Sequence, residues 1–478
     1  MAPASFEGLP PSVAGKRIAV IGGGPGGYVA AIRAAQLGGV VTLIEKGPLG
    51  GVCLNAGCIP AKVLLHTAKI YETVRDGQAI GLRAENLSVD WPGLMERKKA
   101  VTDTLVGGVE TLMATNGVTL LRGEGKLLSS REVSVAMADG GKKSLFADSI
   151  IIAAGSEPVA PPVPGIEADG VITSTEALSL EELPVSAAIV GGGVIGMEFA
   201  GLLSSLGVKV TVIEMLPEIL PMFDSEVVAV LKGVLESKGV AFHISSRVQA
   251  VEKKGGMLAL SVETPEGSIQ LEAEKVLLST GRRAVIRGLG LEETGIKVEQ
   301  GRIKINNRME TSVRGVYAVG DCASPIMLAH VASREGEIAA ENALGLPSVM
   351  DYKTVPSAVY TSPEIASVGL TEKEALEKGY RIKVGRFPLM ANGKSIILGD
   401  SEGLVKFVVD EKYDEILGMH MAGPNATELI AEGALALRLE ATVDEILTTV
   451  HGHPTVGEAV LEAAMAVYGR ALSLPKKQ

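Results

Sequence analysis

Two cysteines are the side chains best suited to chemistry in this chain of 478 residues. Cys53 and Cys58 lie in the stretch GGVCLNAGCIPAK, and Cys322 is the only other cysteine. Thiols at this spacing fit a redox-active pair, because a distorted first helical turn can bring their Cα atoms to disulfide distance, about 5.5 Å. Zinc is disfavoured because it takes about four ligands, whereas two unrelated buried thiols remain an alternative.

His453 is the second candidate, and its stretch HGHPTVGE allows two interpretations. In the first, Glu458 fixes the tautomer of the His453 ring, which then acts as a general acid or base. In the second, Pro454 begins a helix, Thr455 and Glu458 form a capping box, and the histidines are exposed loop residues. The spacing favours neither interpretation over the other. A metal site at His451 and His453 lacks a third ligand nearby.

An internal duplication provides the elements that would position a cofactor beside the thiols. Residues 16–46 align without gaps on residues 185–215, and each copy reads as strand, glycine-rich turn, helix, second strand and glutamate. The glycines permit a tight turn and let a pyrophosphate approach the N-terminus of the helix. The sequence therefore predicts two bound dinucleotides. The candidate residues are Gly22, Gly24, Gly27 and Glu45 in the first copy, and Gly191, Gly193, Gly196 and Glu214 in the second.

Glu214 indicates which dinucleotide the second copy binds. A carboxylate at this position accepts hydrogen bonds from a ribose 2'-OH and repels a 2'-phosphate. The next residues, Met215, Leu216 and Pro217, offer no arginine to hold such a phosphate. The sequence therefore predicts NAD rather than NADP at the second site.

The pattern along the whole chain predicts an α/β fold with two Rossmann-like dinucleotide-binding domains and a C-terminal α+β interface, or dimerisation, domain. The stiff segment VAPPVPG is typical of a crossing between domains. We expect further elements at apolar runs. These are strands at 149–154, 276–279, 315–321, 404–409 and 416–422, and helices at 426–439, 443–449 and 456–468.

Charge and composition exclude several classes of function. The net charge of -11, without a lysine and arginine cluster, disfavours binding to nucleic acid or an anionic membrane. The apolar run from Ala187 to Val208 is long enough for a membrane span, but its glycines break a continuous helix. Three cysteines are too few for a disulfide framework, and the N-terminus MAPASFEGLPPSVAGK shows no export signal, so we expect a cytoplasmic protein without a metal.

These motifs resemble those of the pyridine nucleotide-disulfide oxidoreductase family from about Lys16 to Tyr468. GGVCLNAGCIPAK is similar to the family's redox stretch GGTCLNVGCIPSK, and HGHPTVGE is similar to HAHPTLSE. TSVRGVYAVGDCA resembles the segment whose aspartate binds the ribityl chain of FAD. Val52 and Ala61 depart from the family's threonine and serine, and both departures spare the residues expected to do chemistry.

The resemblance implies where each cofactor binds and how the chain is divided. FAD would contact Gly22, Gly24, Gly27, Glu45, Lys62, Gly155, Asp321 and Ala329. NAD would contact Gly191, Gly193, Gly196, Glu198, Glu214 and Gly281. The implied domains are an FAD-binding domain with the redox disulfide at 1–155, an NAD-binding domain at 156–283, the second part of the FAD-binding or central domain at 284–350, and an interface domain at 351–478.

The resemblance also implies the reaction and the partners. Protein-bound dihydrolipoamide would be oxidised to lipoamide while NAD+ is reduced to NADH. Cys53 would be the interchange thiol and Cys58 the thiol next to the flavin, while His453 and Glu458 would come from the other subunit of a homodimer. The lipoyl-bearing partner would be an E2 acyltransferase or the H protein of glycine cleavage. A flavoprotein that senses nucleotide without turnover is the alternative on grounds of fold alone.

Overall fold

The structure is a computed structural model that describes residues 15–475. The segment MAPASFEGLPPSVA lies outside the described residues. It makes up most of the N-terminal stretch in which the sequence shows no export signal. The chain divides into two compact units. The first unit comprises Met1–Val63, Met95–Val159 and Gly281–Asp351, and the second comprises Leu64–Leu94, Ala160–Thr280 and Tyr352–Gln478.

A parallel sheet with a glycine-rich turn begins the first unit. The elements up to residue 152 are β1 Arg17–Ile21, α1 Pro25–Gln36, β2 Val40–Glu45, α2 Gly51–Ala56, α3 Cys58–Arg75, α4 Trp91–Thr115, β3 Thr119–Ser129, β4 Glu132–Met137, β5 Lys142–Phe146 and β6 Ser149–Ile152. β1 pairs in parallel with β2 and β6, and β2 pairs in parallel with β3. The carboxyl ends of these strands therefore meet at one edge, where the glycine turn follows β1 and Glu45 ends β2.

A second parallel sheet repeats this arrangement in the second unit. The next elements are β7 Ser156–Pro158, β8 Val171–Thr173, α5 Ser174–Ala177, β9 Ser186–Val190, α6 Val194–Ser205, β10 Lys209–Ile213, α7 Ser225–Ser237, β11 Ala241–His243, β12 Arg247–Lys254, β13 Met257–Thr264, β14 Gly267–Ala273, β15 Lys275–Leu278 and β16 Arg282–Ala284. The sheet order is β11-β10-β9-β15-β8, and β12, β13 and β14 form a separate antiparallel sheet. β7 and β16 pair with each other and belong to the first unit.

The remaining elements complete the first sheet and build an antiparallel one. They are α8 Leu291–Thr294, β17 Val298–Glu299, β18 Arg302–Ile303, β19 Val316–Ala318, α9 Ala329–Leu344, β20 Ser357–Val359, β21 Glu364–Gly369, α10 Glu372–Glu377, β22 Ile382–Pro388, α11 Gly393–Leu398, β23 Leu404–Asp410, β24 Ile416–Gly423, α12 Ala426–Arg438, α13 Val443–Thr448 and α14 Glu458–Ala466. The first sheet then reads β19-β6-β1-β2-β3-β4-β5, and the C-terminal sheet reads β20-β21-β24-β23-β22.

The observed architecture confirms the predicted fold class, with two Rossmann-like folds and a C-terminal α+β domain. The apolar run from Ala187 to Val208 is β9, a turn and α6 rather than a continuous helix. Within residues 15–475 no helix combines the length and apolarity needed to cross a bilayer. The helix predicted at 456–468 spans only Glu458–Ala466, because the preceding residues form a turn that holds His453.

Candidate active site

A break between two helices brings Cys53 and Cys58 together. α2 ends at Ala56, and Gly57 takes a non-helical conformation (φ -153°, ψ -113°) before α3 begins at Cys58. The Cys53 and Cys58 side chains approach each other to near 2.7 Å. The distortion expected from the sequence is therefore an interruption at Gly57 rather than an irregular first turn of one helix.

The electrostatics of the pair point to a need for a proton acceptor. A hydrogen bond with Cys58 and then burial raise the pKa of the Cys53 thiol far above its usual value, and the ammonium group of Lys62 opposes that rise. Only a thiolate takes part in disulfide exchange. A base must therefore remove protons during exchange, and Lys62 lies where its charge stabilises the resulting thiolate.

The first glycine turn leaves room for a phosphate at the second glycine only. Gly22 has φ +105°, and a Cβ there would lie 2.2 Å from the Ala153 carbonyl oxygen. A Cβ at Gly27 would lie 1.8 Å from the Gly22 carbonyl oxygen. The protein itself thus requires these two glycines. A Cβ at Gly24 would meet only the Cα of Gly51, at 3.9 Å, so the missing side chain leaves open space at the N-terminus of α1.

The second glycine turn has the same division of roles. Gly191 has φ +112°, and a Cβ there would lie 2.5 Å from the Ser279 carbonyl oxygen. A Cβ at Gly196 would lie 2.1 Å from the Gly191 carbonyl oxygen. A Cβ at Gly193, by contrast, would meet no protein atom within 4 Å. Both turns therefore keep an unfilled position where a helix N-terminus is ready to bind an anion, and the residues present fit two dinucleotides.

Glu45 and Glu214 each tie the end of a strand to its glycine turn. Glu45 Oε2 accepts a hydrogen bond from Gly23 N at 2.6 Å. In the second copy, Glu214 Oε2 accepts from Gly192 N at 2.5 Å and Oε1 accepts from Leu216 N at 2.7 Å. Because a carboxylate offers about four lone-pair positions, each glutamate retains acceptor capacity for ribose hydroxyls.

Three further residues are candidates for contact with a nucleotide: Glu198, Gly155 and Gly281. Glu198 is a buried residue of α6 whose Oε1 accepts from Tyr360 N at 3.1 Å. Gly155 and Gly281 both have positive φ, at +73° and +116°, and a Cβ at either would meet open space. Gly281 falls in the first unit, although the resemblance assigns it to NAD.

Asp321 lies on a 3-10 turn, Gly320–Cys322, that follows β19. Its Oδ2 accepts a hydrogen bond from Ser156 Oγ at 2.5 Å. The buried Glu335 of α9 accepts from Gly320 N at 2.7 Å and so fixes the turn to the helix that Ala329 begins. Hydrogen bonds within the first unit thus fix the turn that carries Asp321 to the helix that begins at Ala329.

Sequence reasoning missed Ser156 and Arg282. Arg282 Nε donates to Ser156 Oγ at 2.7 Å, and Arg282 Nη2 donates to the Ser156 carbonyl oxygen at 2.8 Å. Burial lowers the pKa of Arg282, while the charges of Asp321 and Cys58 act in the opposite direction. Their positions in the sequence could have identified them, because Ser156 directly follows Gly155 and Arg282 directly follows Gly281, two candidate glycines.

His453 and Glu458 form the expected pair in the second unit. His453 Nδ1 lies 2.9 Å from Glu458 Oε1, and Thr455 N donates to Glu458 Oε2 at 2.9 Å. Burial raises the pKa of Glu458, but these two hydrogen bonds outweigh it and hold that pKa below its usual value. An ionised carboxylate only accepts, so Nδ1 carries the proton and Nε2 presents the basic lone pair. The imidazole side chain is 81% exposed.

The alternative interpretations of this stretch fare differently. Thr455 Oγ1 donates to the Gly452 carbonyl oxygen at 2.7 Å instead of capping α14, so only half of the capping box is present. His451 is not an exposed loop residue, because its side chain is 8% exposed and its Nε2 lies 3.0 Å from Glu432 Oε1. Among residues 15–475 no group of three or more histidine, cysteine or acidic side chains is arranged to hold a metal.

Cys322 is expected to be inert in the folded protein. It is fully buried, and burial raises the pKa of its thiol to about 11. The thiol stays protonated until the pH approaches that value, so at pH 8 the thiolate fraction is about 0.1%. Iodoacetamide at pH 8 should leave Cys322 unlabelled in the native protein and label it after unfolding, as read by peptide mass spectrometry. Equal labelling in the two states would contradict the burial assigned here.

Comparison with known proteins agrees with this geometry. Residues 16–336 match the family model described as pyridine nucleotide-disulphide oxidoreductase. Residues 355–464 match the dimerisation domain of the same family, which supports a homodimer.

Individual relatives cover nearly the whole chain. A dihydrolipoyl dehydrogenase of Bacillus subtilis (strain 168) is 44% identical over 468 residues, covering 95% of this chain and 98% of the relative. One of Thermus scotoductus is 45% identical over 460 residues, with 95% and 98% covered. The crystal structure of LpdA from Mycobacterium tuberculosis has a TM-score of 0.88 at 28% identity, covering 94% of this chain and 99% of that one. The chain therefore belongs to the pyridine nucleotide-disulphide oxidoreductase family and is a flavoprotein disulfide oxidoreductase that uses FAD and NAD(H).

Proposed function

We propose that this enzyme oxidises protein-bound dihydrolipoamide to lipoamide and reduces NAD+ to NADH, the activity for which its relatives from Bacillus subtilis and Thermus scotoductus are named. The observation that carries the proposal is the contact between Cys53 and Cys58 directly after the first dinucleotide fold, beside the cation of Lys62. A substrate that carries two nearby thiols, such as dihydrolipoamide, can reduce a protein disulfide by two successive exchanges.

The two exchanges balance in bonds, electrons and protons. In the oxidised enzyme, one substrate thiolate attacks the Cys53 sulfur, and the bond to Cys58 breaks to leave a Cys58 thiolate. The second substrate thiolate then attacks the substrate sulfur of the mixed disulfide, which closes the lipoamide ring and leaves a Cys53 thiolate that takes up a proton. Two electrons pass from the substrate to the cysteine pair, and the two substrate protons go to bases or to sulfur.

His453 is the base that we assign to the substrate protons. Its Nε2 is available because Nδ1 is held by Glu458 at 2.9 Å. A His453 ring that serves the other subunit of a homodimer must be exposed on its own chain, and this ring is exposed. The partner subunit's His453 would then serve the thiol pair of this chain.

The first glycine turn, Glu45, Lys62, Gly155, Asp321 and Ala329 would hold FAD. There FAD would supply the electron-transfer chemistry that links the thiol pair to NAD+. The second turn, with Gly191, Gly193, Gly196, Glu198, Glu214 and Gly281, would hold NAD. The open positions at Gly24 and Gly193 support both assignments. The domain division that we propose with these roles is the one implied by the resemblance, at 1–155, 156–283, 284–350 and 351–478.

Glu214→Arg should move the preference of the enzyme toward NADP. The carboxylate favours a ribose 2'-OH, whereas an arginine pairs with a 2'-phosphate, so the ratio of kcat/KM for NAD to that for NADP should fall by at least about tenfold. Glu214→Gln is the matched control, because it keeps an acceptor near Gly192 N but adds no cation. It should weaken NAD and relieve the repulsion of a 2'-phosphate, but it should improve NADP much less than Glu214→Arg does. An unchanged ratio in Glu214→Arg would refute the ribose contact.

The natural substrate can be tested with lipoylated proteins. Reduced lipoyl domains of an E2 acyltransferase and reduced H protein of the glycine cleavage system are compared as substrates by NADH formation, with unlipoylated domains as controls. We expect turnover with at least one lipoylated protein and with free dihydrolipoamide. No turnover with any of them, at full FAD content, would instead favour a flavoprotein that senses nucleotide. We also propose the cytoplasm as the compartment, because a transient catalytic disulfide is the kind that occurs in reducing compartments.

A further inference from the structure

A buried lysine joins the C-terminal sheet to the second nucleotide-binding fold within the second unit. Lys406 of β23 has a side chain only 2% exposed. Its Nζ lies 2.9 Å from Asp224 Oδ2, 2.6 Å from Glu226 Oε1 and 2.7 Å from Glu372 Oε2. Lysine is almost never fully buried unless its charge is paired. The ammonium group is therefore the centre of a specific cluster rather than a surface charge.

The cluster clamps the N-terminus of α7. Asp224 is the N-cap residue of α7, and its Oδ1 accepts from Glu226 N at 3.1 Å. Arg386 of β22 bonds Glu226 at 2.8 Å and Glu372 at 2.7 Å, so two cations from the C-terminal sheet hold carboxylates at the start of α7. Hydrogen bonds to Arg386 and Lys406 outweigh burial and lower the pKa of Glu226 to about 2. Burial lowers the pKa of Lys406, but its three carboxylate partners outweigh that and raise it.

The clamped helix is tied to the second glycine turn by a short connection. Leu220 N donates to the Gly192 carbonyl oxygen at 2.9 Å, and Phe223 N donates to the Leu220 carbonyl oxygen at 2.9 Å. Leu220 has φ +48°, a left-handed conformation that a branched side chain adopts only where its surroundings enforce it. Asp224 follows Phe223 directly, so the anchor at Lys406 is one of the constraints that fix this connection.

The Ile219 side chain, in the same connection, packs against the second glycine turn. Its Cγ2 lies 2.7 Å from where a Cβ on Gly192 would be, so the connection packs directly on the backbone of the turn. Gly192 is also the residue whose N–H is held by Glu214. A shift at the start of α7 would therefore move the surface on which the ribose and phosphate are expected to rest.

We propose that Lys406 is a positioning residue for NAD, acting through Asp224 and the 219–223 connection on the second glycine turn. The inference rests on the proposed binding of NAD at that turn. It makes the C-terminal domain responsible for the shape of the nucleotide site as well as for dimerisation. Loss of the clamp should weaken NAD while the exchange chemistry at Cys53 and Cys58 continues.

The test is equilibrium binding of NADH to the purified FAD-loaded enzyme carrying Lys406→Met. We expect the Kd for NADH and the KM for NAD+ to rise roughly tenfold, with kcat changed much less. The FAD content, and the number of protein thiols produced by anaerobic dihydrolipoamide, should match those of the wild type. General destabilisation of the protein would lower both quantities. Lys383→Met is the matched control, because Lys383 lies on neighbouring β22 and pairs with Asp414 at 2.8 Å outside the cluster. It should bind NADH normally.

A double variant keeps the inference open to refutation if Lys406→Met fails to fold. Lys406→Met with Asp224→Asn removes one charge of each sign and retains an N-cap residue for α7. It should show the same weakening of NADH. A Kd within twofold of the wild type in the folded variant would overturn the inference. Gly193→Val distinguishes failure of this inference from failure of the proposed NAD site. Unchanged NADH binding in Gly193→Val would refute the site itself. Weakened NADH binding in Gly193→Val, with normal binding in the Lys406 variants, would refute only the role of Lys406.

Discussion

Cys53→Ser is expected to lower the turnover of dihydrolipoamide by about a thousandfold or more, while the protein keeps its FAD. A serine hydroxyl cannot form a mixed disulfide with the substrate, so the first exchange has no acceptor sulfur. The FAD-binding candidates, among them Gly24, Glu45 and Asp321, are unchanged. Steady-state NADH formation and the visible flavin spectrum of the purified protein measure the two quantities together.

Cys322→Ala is the control for this variant, because it removes the one thiol outside the pair. We expect it to retain turnover, since Cys322 is buried and its thiol donates to the backbone carbonyl oxygens of Ile152 and Val319. If Cys53→Ser instead releases the flavin and added FAD restores turnover, the role of Cys53 is structural.

His453→Gln is expected to lower turnover by roughly two orders of magnitude or more, the usual contribution of a positioned general base. Glutamine keeps a similar size and a hydrogen bond toward Glu458, but it offers no basic nitrogen. Glu458→Gln should cost less, because a basic nitrogen remains while the tautomer is no longer held by a carboxylate. Turnover and the rate of the first half reaction with dihydrolipoamide, measured by stopped flow without NAD+, report the effect.

His451→Gln is the matched control, two residues away in the same stretch. His451 is nearly buried and pairs with Glu432, so it faces a different carboxylate from His453. We expect near-normal turnover from this variant. Near-normal turnover in His453→Gln as well would restore the interpretation of this stretch as a helix start with no part in the chemistry.

The glycine turns and the strands around them were predictable because their signal is local. Gly22 and Gly191 are required by positive φ and by the carbonyl oxygen of the residue that directly follows a neighbouring strand. A short-range pattern of apolar residues sets the strands. The contact between His453 and Glu458 spans only five residues, so the spacing allowed it but did not favour it over a capping box. The start of α14 was predicted two residues early, because Thr455 bonds the turn behind it rather than the helix ahead.

Contacts between distant parts of the sequence were not predictable from motifs. Ser156 and Arg282 are 126 residues apart, and their hydrogen bonds depend on the pairing of β7 with β16. Lys406 and Asp224 are 182 residues apart, and nothing in the sequence near either residue indicates a buried ion pair. Such contacts arise only when two separately patterned segments pack, so local periodicity carries no record of them.

The most direct test of the account is an anaerobic titration of the oxidised enzyme with dihydrolipoamide, followed by addition of NAD+. Thiols on the protein itself are counted by peptide mass spectrometry after a denaturing quench with alkylation, and NADH is measured by absorbance. One equivalent of substrate per subunit should produce the Cys53 and Cys58 thiols, and NAD+ should then return one NADH per subunit with loss of both thiols. An unchanged thiol count, or the same yield of NADH from Cys58→Ser, would contradict electron transfer through the cysteine pair.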